Sequence, residues 1–217
     1  MLKPLSQEQH DKIMDTAIRA FANKGFAGAN INIIAKDSGV SVGVLYRYYK
    51  NKESLFIECV KKCLLFLEKV FGELQSKGGT IQDMIENLVI QAQQVARKRP
   101  ECFGLYKQIM VSELPGSLKY LVKMIEGRTA ELYVSIARHA REDGLLSKDI
   151  DPAMFAFFFD NLVMMTHFSY SNEHYKERFK IYCGEDTIEP EKDTYVREQF
   201  MILVGSVLKL QPDEDNR

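Results

Sequence analysis

The sequence lacks the motifs that mark most enzymes. It contains no glycine-rich phosphate loop, no nucleophile elbow and no HExxH motif. It also has no pair of carboxylates in an apolar setting, which two-carboxylate acid–base chemistry requires. Internal repeats and low-complexity tracts are absent as well. We therefore predict that the chain is not an enzyme, that it uses no cofactor and that it holds no metal ion.

Cysteine is scarce, with residues at positions 59, 63, 102 and 183. The opening MLKPLSQEQHDK is polar and has no apolar h-region, so we expect no signal peptide and a cytoplasmic location. In that compartment, free thiols are expected rather than disulfides. Cys59 and Cys63 lie one helical turn apart and could sense oxidants or bind a soft metal. Two cysteines cannot complete a tetrahedral site, however, so buried thiols are the favoured interpretation.

Long apolar runs are also missing. The longest, from Ala153 to Met165, is interrupted by Asp160 and Asn161 and is too short to span a bilayer. We expect it to form a buried helix. With 46% hydrophobic residues in 217, the chain has enough apolar material for one large domain or for a small and a larger one.

Charge is distributed unevenly, although the net charge is only −1. Residues 1 to 52 hold 8 Lys or Arg against 4 Asp or Glu, and the remainder holds 21 against 26. A basic N-terminal part with an acidic remainder favours an anionic partner for the N-terminal part.

The stretch from Asn30 to Leu55 predicts two short helices joined by a tight turn, followed by the start of a third. Asn30 and Ser41 are suitable N-caps, and Gly39 suits a left-handed position at the end of the first helix. Ala35 is small enough for two helices to cross closely. This pattern predicts a helix-turn-helix, although ordinary helical hairpins share part of it.

The outward face of the second helix lacks acidic residues between Ser41 and Lys52. Positive charge, tyrosine hydroxyls and small side chains suit contact with a phosphate backbone and a DNA groove. The candidate DNA-binding residues are Asn30, Ser41, Val42, Gly43, Val44, Tyr46, Arg47, Tyr48 and Lys52.

This stretch resembles the DNA-binding domain of the tetracycline-repressor (TetR) family of bacterial transcription regulators. The matching residues are Gly25-Phe26, Ile34-Ala35, Gly39-Val40-Ser41, Gly43, Leu45-Tyr46, Tyr49, Lys52 and Leu55. Asn30, Ser38 and Tyr49 are mild departures from the family pattern. The resemblance implies a ligand-responsive regulator that binds double-stranded operator DNA. It also implies that ligand binding tilts the helix running from Lys52 to about Gln75 and so releases the operator.

The rest of the chain shows helical periodicity and no strand pattern, which predicts an all-α fold. The predicted helices cover about 8–24, 51–75, 80–98, 100–114, 117–142, a segment starting at Asp151-Pro152, and 192–208, with a helix extension from 172 to about 184. We expect a helix-turn-helix domain at 1–52, a helical ligand-sensing and dimerisation domain at 53–210, and a tail at 211–217.

The helix that begins after Asp151 is apolar on nearly all sides, so a second chain is expected to cover part of it and make a homodimer. An apolar or amphipathic effector is expected to bind in the helical domain at 53–210. The candidate pocket residues are Tyr106, Met110, Tyr133, Phe159 and Met164. Any one of them could equally be a core residue. We predict a dimeric regulator, specifically a repressor. The alternative is a helical ligand-binding or protein-interaction module that no longer binds specific DNA.

Overall fold

The computed structural model describes residues 5–76, 79–111 and 114–210, and within them all regular structure is helical. The helices are α1 (Gln7–Gly28), α2 (Ile31–Ser38), α3 (Val42–Tyr48), α4 (Lys52–Ser76), α5 (Ile81–Lys98), α6 (Pro100–Val111), α7 (Tyr120–Glu142), α8 (Pro152–Ser171), α9 (Glu173–Cys183) and α10 (Asp193–Leu208). Short 3₁₀ turns lie at Gly116–Leu118 and Pro190–Lys192. The all-α prediction is confirmed. The predicted tail at 211–217, and positions 77 and 78 of the predicted linker, lie outside the described residues.

The chain forms two compact units. The first comprises Met1–Lys69 and Glu101–Lys123, and the second comprises Val70–Pro100 and Met124–Arg217. Helix α6 therefore groups with the N-terminal helices, a grouping that helical periodicity along the chain does not reveal. The domain boundary after residue 52 stays a prediction. No helix within the described ranges is long and apolar enough to cross a bilayer.

Local capping explains where several helices begin and end. The Ser6 side chain and Gln9 form a capping box at the start of α1. The Asp151 carboxylate accepts hydrogen bonds from the backbone N–H groups of Ala153 and Met154 at 2.9 and 3.0 Å, and Pro152 follows at the first helical position. In α1, Gly25 adopts a φ of 69°, which interrupts the helix where the sequence predicts its end. One more helical turn follows and ends at Gly28.

Aromatic side chains build the core of the first unit. Phe21 and Phe56 are fully buried and meet edge-on with ring centroids 5.0 Å apart, and Phe26 meets Phe56 in the same way at 5.2 Å. Such edge-to-face pairs are favourable beyond the area that they bury. On α2, the apolar side chains of Ile34 and Ala35 are each 1% exposed, so this helix is also packed into the first unit.

The second unit has its own core, in which α5, α7, α8 and α10 pack together. Its buried members are Ile81, Ile85, Leu88, Tyr133, Ile136, Ala137, Ala140, Leu146, Ala156, Phe159, Val163, Val204 and Leu208. The chain leaves α8 at Asn172, whose extended backbone and side-chain contact with the Tyr175 N–H start α9 as a separate helix. The expected extension of the preceding helix is therefore wrong, because an asparagine cap begins a new one.

Asp160 is the acidic residue in the middle of the apolar helix α8, and it is partly buried. Burial, together with the nearby Glu126 carboxylate, raises its pKa to about 6. A carboxyl whose folded-state pKa lies above the unfolded value of about 3.9 binds more protons in the folded state between those two values. Ionisation of Asp160 therefore destabilises the fold as the pH rises from about 4 to about 6.

Asp160→Asn is accordingly expected to raise the free energy of unfolding relative to the parent at pH 7.5, by about 1 kcal/mol after allowance for partial exposure. The difference should shrink towards pH 4. Denaturant unfolding at a series of pH values measures it, and Asp149→Asn, at an exposed position, is the matched control. A stability difference that is constant across the pH series would contradict the assigned pKa.

Candidate nucleic-acid interface

Helices α2 and α3 each begin at a side-chain cap, and a glycine turn joins them. The Asn30 side chain accepts a hydrogen bond from the Asn32 N–H at 2.8 Å, and the Ser41 hydroxyl accepts one from the Val44 N–H at 3.2 Å. Gly39 has a φ of 75°, in the left-handed region that favours glycine. The predicted caps and turn are confirmed, so α3 has a fixed position against α2.

Two of the departures from the family pattern have local explanations. Ser38 is buried, and its hydroxyl donates to the Ile34 carbonyl oxygen at 2.6 Å, so this polar group is satisfied. The Tyr49 hydroxyl lies 3.0 Å from His10 Nε2 and donates to Met14 Sδ at 3.3 Å. Burial raises the pKa of Tyr49 to about 12. Its hydroxyl thus ties the end of α3 to α1.

Helix α3 buries one side and exposes the other. Leu45 is fully buried and Tyr49 nearly so, whereas Tyr46 and Tyr48 keep 45% and 43% of their surface exposed. Exposed or partly exposed positions also include Ser41, Val42, Gly43, Val44 and Arg47. The inward and outward faces of α3 are as the sequence predicts. Contact of the outward face with DNA stays a prediction.

Tyr48 and Lys52 also make contacts within the protein. The Tyr48 hydroxyl accepts a hydrogen bond from the Leu5 N–H at 2.8 Å. Lys52 Nζ donates to the Ala27 carbonyl oxygen at 3.0 Å and lies 5.1 Å from the centre of the Phe26 ring. Burial lowers the pKa of Lys52. Lys52 therefore links the start of α4 to the last turn of α1, a structural role that the motif alone does not predict.

A further cation beside the turn was missed by sequence reasoning. A Cβ placed on Gly39 would lie 3.7 Å from Lys12 Nζ, so this α1 side chain reaches the α2–α3 turn. Lys12 is exposed and could contact a phosphate next to the turn. It lies far from the motif in the chain, and only the excess of basic residues in the first 52 positions hinted at it.

The candidate pocket residues divide between the two units. Tyr106 and Met110 are on α6 in the first unit, half-buried and 43% exposed respectively. In the second unit, Tyr133 and Phe159 are buried core residues that meet edge-on at 5.3 Å, and Met164 is half-buried. Burial raises the pKa of Tyr133 above its usual range. The assignment of these five residues to one pocket stays a prediction.

Three of the four cysteines are buried in the first unit. They are Cys59, Cys63 and Cys102, whereas Cys183 is exposed at the end of α9. Burial raises the pKa of the Cys59 thiol, so it stays protonated and weakly reactive. Within the described residues, no cluster of three or more His, Cys, Asp or Glu side chains could hold a metal ion.

Residues 13–59 match the sequence model of the tetR family of bacterial regulatory proteins. These residues run from α1 through the first turns of α4. This N-terminal segment is identified as a TetR-family DNA-binding region. Its relatives include the HTH-type negative transcriptional regulator IcaR of the icaADBC biofilm operon from Staphylococcus aureus, 30% identical over 81 residues. Another is the HTH-type transcriptional regulator YerO from Bacillus subtilis, 44% identical over 50 residues. Both relatives are named as transcriptional regulators.

The matched parts are limited in extent. They cover 37% of this chain and 44% of IcaR, and 23% of this chain and 17% of YerO. The chain thus spans less than half the length of these relatives.

Solved structures extend the likeness in fold to nearly the whole chain. FadR from Bacillus subtilis in complex with stearoyl-CoA superposes with a TM-score of 0.69 at 15% identity, covering 93% of this chain and 100% of FadR. AibR in complex with isovaleryl coenzyme A and operator DNA superposes with a TM-score of 0.67 at 16% identity, covering 92% and 98%. At these identities the likeness establishes the fold.

Proposed function

We propose that this TetR-family chain is a cytoplasmic, ligand-responsive repressor that binds a pseudo-palindromic operator as a homodimer. The observation that carries the proposal is the outward face of α3, which is exposed, free of acidic side chains and fixed in place by the Ser41 cap and the Gly39 turn. A recognition helix needs both a fixed position in its domain and a surface without negative charge.

On this face, different side chains suit different parts of the DNA. Arg47 and the hydroxyl of Tyr46 are suited to phosphate oxygens, which set position without reading sequence. Val42 and Val44 are suited to apolar contact with thymine methyl groups in the major groove, and Gly43 lets the backbone come close to the bases. Tyr48 and Lys52 are less available for contact with DNA, because they already make hydrogen bonds within the protein. We expect Arg47 and Tyr46 to dominate the backbone contacts.

The homodimer is supported by exposed apolar side chains on α8 and α10. Those on α8 are Met154, Phe157, Phe158, Leu162 and Met165, and those on α10 are Tyr195, Ile202, Leu203 and Val207. Phe157 and Phe158 are each 60% exposed. Large exposed apolar side chains in this number on two helices are typical of an interface between chains. A two-fold dimer would present two copies of α3 about 34 to 36 Å apart to successive major grooves.

The release step is proposed from the relatives and the fold. IcaR is named a negative regulator, FadR is bound to stearoyl-CoA, and AibR is bound to isovaleryl coenzyme A and operator DNA. By analogy we propose a small apolar or amphipathic effector, with Tyr106, Met110, Tyr133, Phe159 and Met164 as candidate lining. Its binding would tilt α4 and lower operator affinity.

Selection of binding sites from a pool of random duplex DNA tests the proposal. The expected outcome is a two-fold symmetric sequence that the protein binds at least about 10³-fold more tightly than random DNA at physiological salt. A helical module that retains the helix-turn-helix but no longer binds specific DNA would show only salt-dependent, non-specific affinity for DNA. No sequence would then be enriched. That outcome would favour the alternative function.

A further inference from the structure

The second unit contains an open cleft of about 370 Å³ away from the candidate pocket residues. It lies between the end of α5, the last turn of α8, α9 and the loop before α10. Ala96, Pro100 and Ile188 form an apolar wall, and polar groups complete the lining. The cleft thus has room for a small molecule with an apolar part and a polar part.

The polar side of the cleft is already ordered. Arg97 Nη2 donates to the Ile188 carbonyl oxygen at 2.6 Å and to Asp193 Oδ1 at 2.7 Å, and the guanidinium lies 4.8 Å from the centre of the Tyr170 ring. Gln93, which is buried, donates to the Tyr170 hydroxyl at 3.1 Å and to the Asp193 carbonyl oxygen at 2.9 Å. Ligand binding would therefore cost little side-chain entropy, because these side chains are already ordered.

Arg97 and Lys176 keep hydrogen-bond donors beyond those that they use within the protein. Both hydrogens of Arg97 Nη2 are used, which leaves the Nε and Nη1 donors of a five-donor guanidinium. Lys176 uses one of its three donors on Glu173, whose side chain is 89% exposed. An exposed ion pair of that kind contributes little and exchanges readily. The lining also includes one carboxylate, that of the exposed residue Glu189.

We propose that this cleft binds a small organic carboxylate. Its carboxylate would accept hydrogen bonds from Arg97 and Lys176, because a planar guanidinium matches a carboxylate. Its apolar body would lie against Ala96, Pro100 and Ile188, which inorganic phosphate could not use. This site is separate from the effector pocket and from DNA binding.

Calorimetric titration of the full chain with benzoate tests this inference without DNA. We expect saturable binding of one benzoate per chain with a dissociation constant of about 1 mM. Lys176→Met should weaken binding at least about five-fold, because it removes a charged donor but keeps the aliphatic stem. Glu189→Gln should tighten binding, because it removes a like charge. Lys148→Met, at an exposed position on the loop before α8, should leave the affinity unchanged.

Neutral benzamide and inorganic phosphate serve as the comparison ligands. Binding of benzamide as tight as that of benzoate, or of phosphate with the same dependence on Lys176, would overturn the carboxylate assignment. The site itself would be excluded by the lack of saturable benzoate binding, or by equal affinity in Lys176→Met and the parent. Far-ultraviolet circular dichroism confirms that each variant is folded. The Glu189→Gln variant tests the same site in the opposite direction.

Discussion

Replacing both Phe157 and Phe158 with glutamate is expected to produce a monomer and to weaken operator binding by at least about 100-fold. Both side chains are 60% exposed on α8, so the substitution leaves the core of the unit intact. In the proposed dimer they would be desolvated, and a buried unpaired carboxylate is strongly unfavourable. The operator affinity falls because two linked recognition helices bind far more tightly than one.

Sedimentation equilibrium and operator titration measure this prediction together. The matched control is Ile181→Glu, which changes a 73% exposed residue on α9 outside the proposed interface. It should remain dimeric and bind the operator as the parent does. A parent protein that is monomeric at micromolar concentration would contradict the interface. So would a double variant that still dimerises.

Arg47→Ala is expected to weaken operator binding about ten-fold or more, and to reduce the slope of log affinity against log salt concentration by about 1. The reason is that a phosphate contact releases one counterion, whatever the base sequence. Tyr46→Phe should give a smaller loss, of about 1 kcal/mol, because it removes one hydroxyl and keeps the ring. Neither variant should change the preferred sequence.

Val44→Ala should instead alter the base preference at one position of the operator with little change in the salt slope. Tyr182→Phe, at a 75% exposed residue of α9, is the matched control for Tyr46→Phe, because it also removes one exposed tyrosine hydroxyl. Lys52→Ala is a poorer probe, because it also removes the hydrogen bond to the Ala27 carbonyl oxygen. If Arg47→Ala kept the parent salt slope, the assignment of Arg47 to a phosphate would be wrong.

The parts of the fold that sequence alone predicts are those set by neighbouring residues. The caps at Asn30, Ser41 and Asp151 and the left-handed Gly39 depend on contacts within a few positions, and the structure confirms them. The sides of α3 that are buried and exposed follow from helical periodicity in the same way. Local chemistry is sufficient for each of these features.

Contacts between distant residues could not be predicted in this way. Lys52 reaches the carbonyl of Ala27, and Arg97 reaches Ile188 and Asp193 more than ninety residues further along the chain. Periodicity shows which side of a helix is apolar but not which helix covers it. For the same reason, the grouping of α6 with the N-terminal helices and the burial of Tyr133 against Phe159 required the structure.

The affinity of the protein for its selected operator, compared with the same DNA carrying an insertion between the half-sites, tests the central claim most directly. An insertion of about half a helical turn, roughly five base pairs, moves the two half-sites to opposite faces of the duplex. A dimer that reads both half-sites through α3 should lose most of its specific affinity and approach its binding to random DNA. Affinity that is unchanged by the insertion would contradict a dimer with two fixed recognition helices.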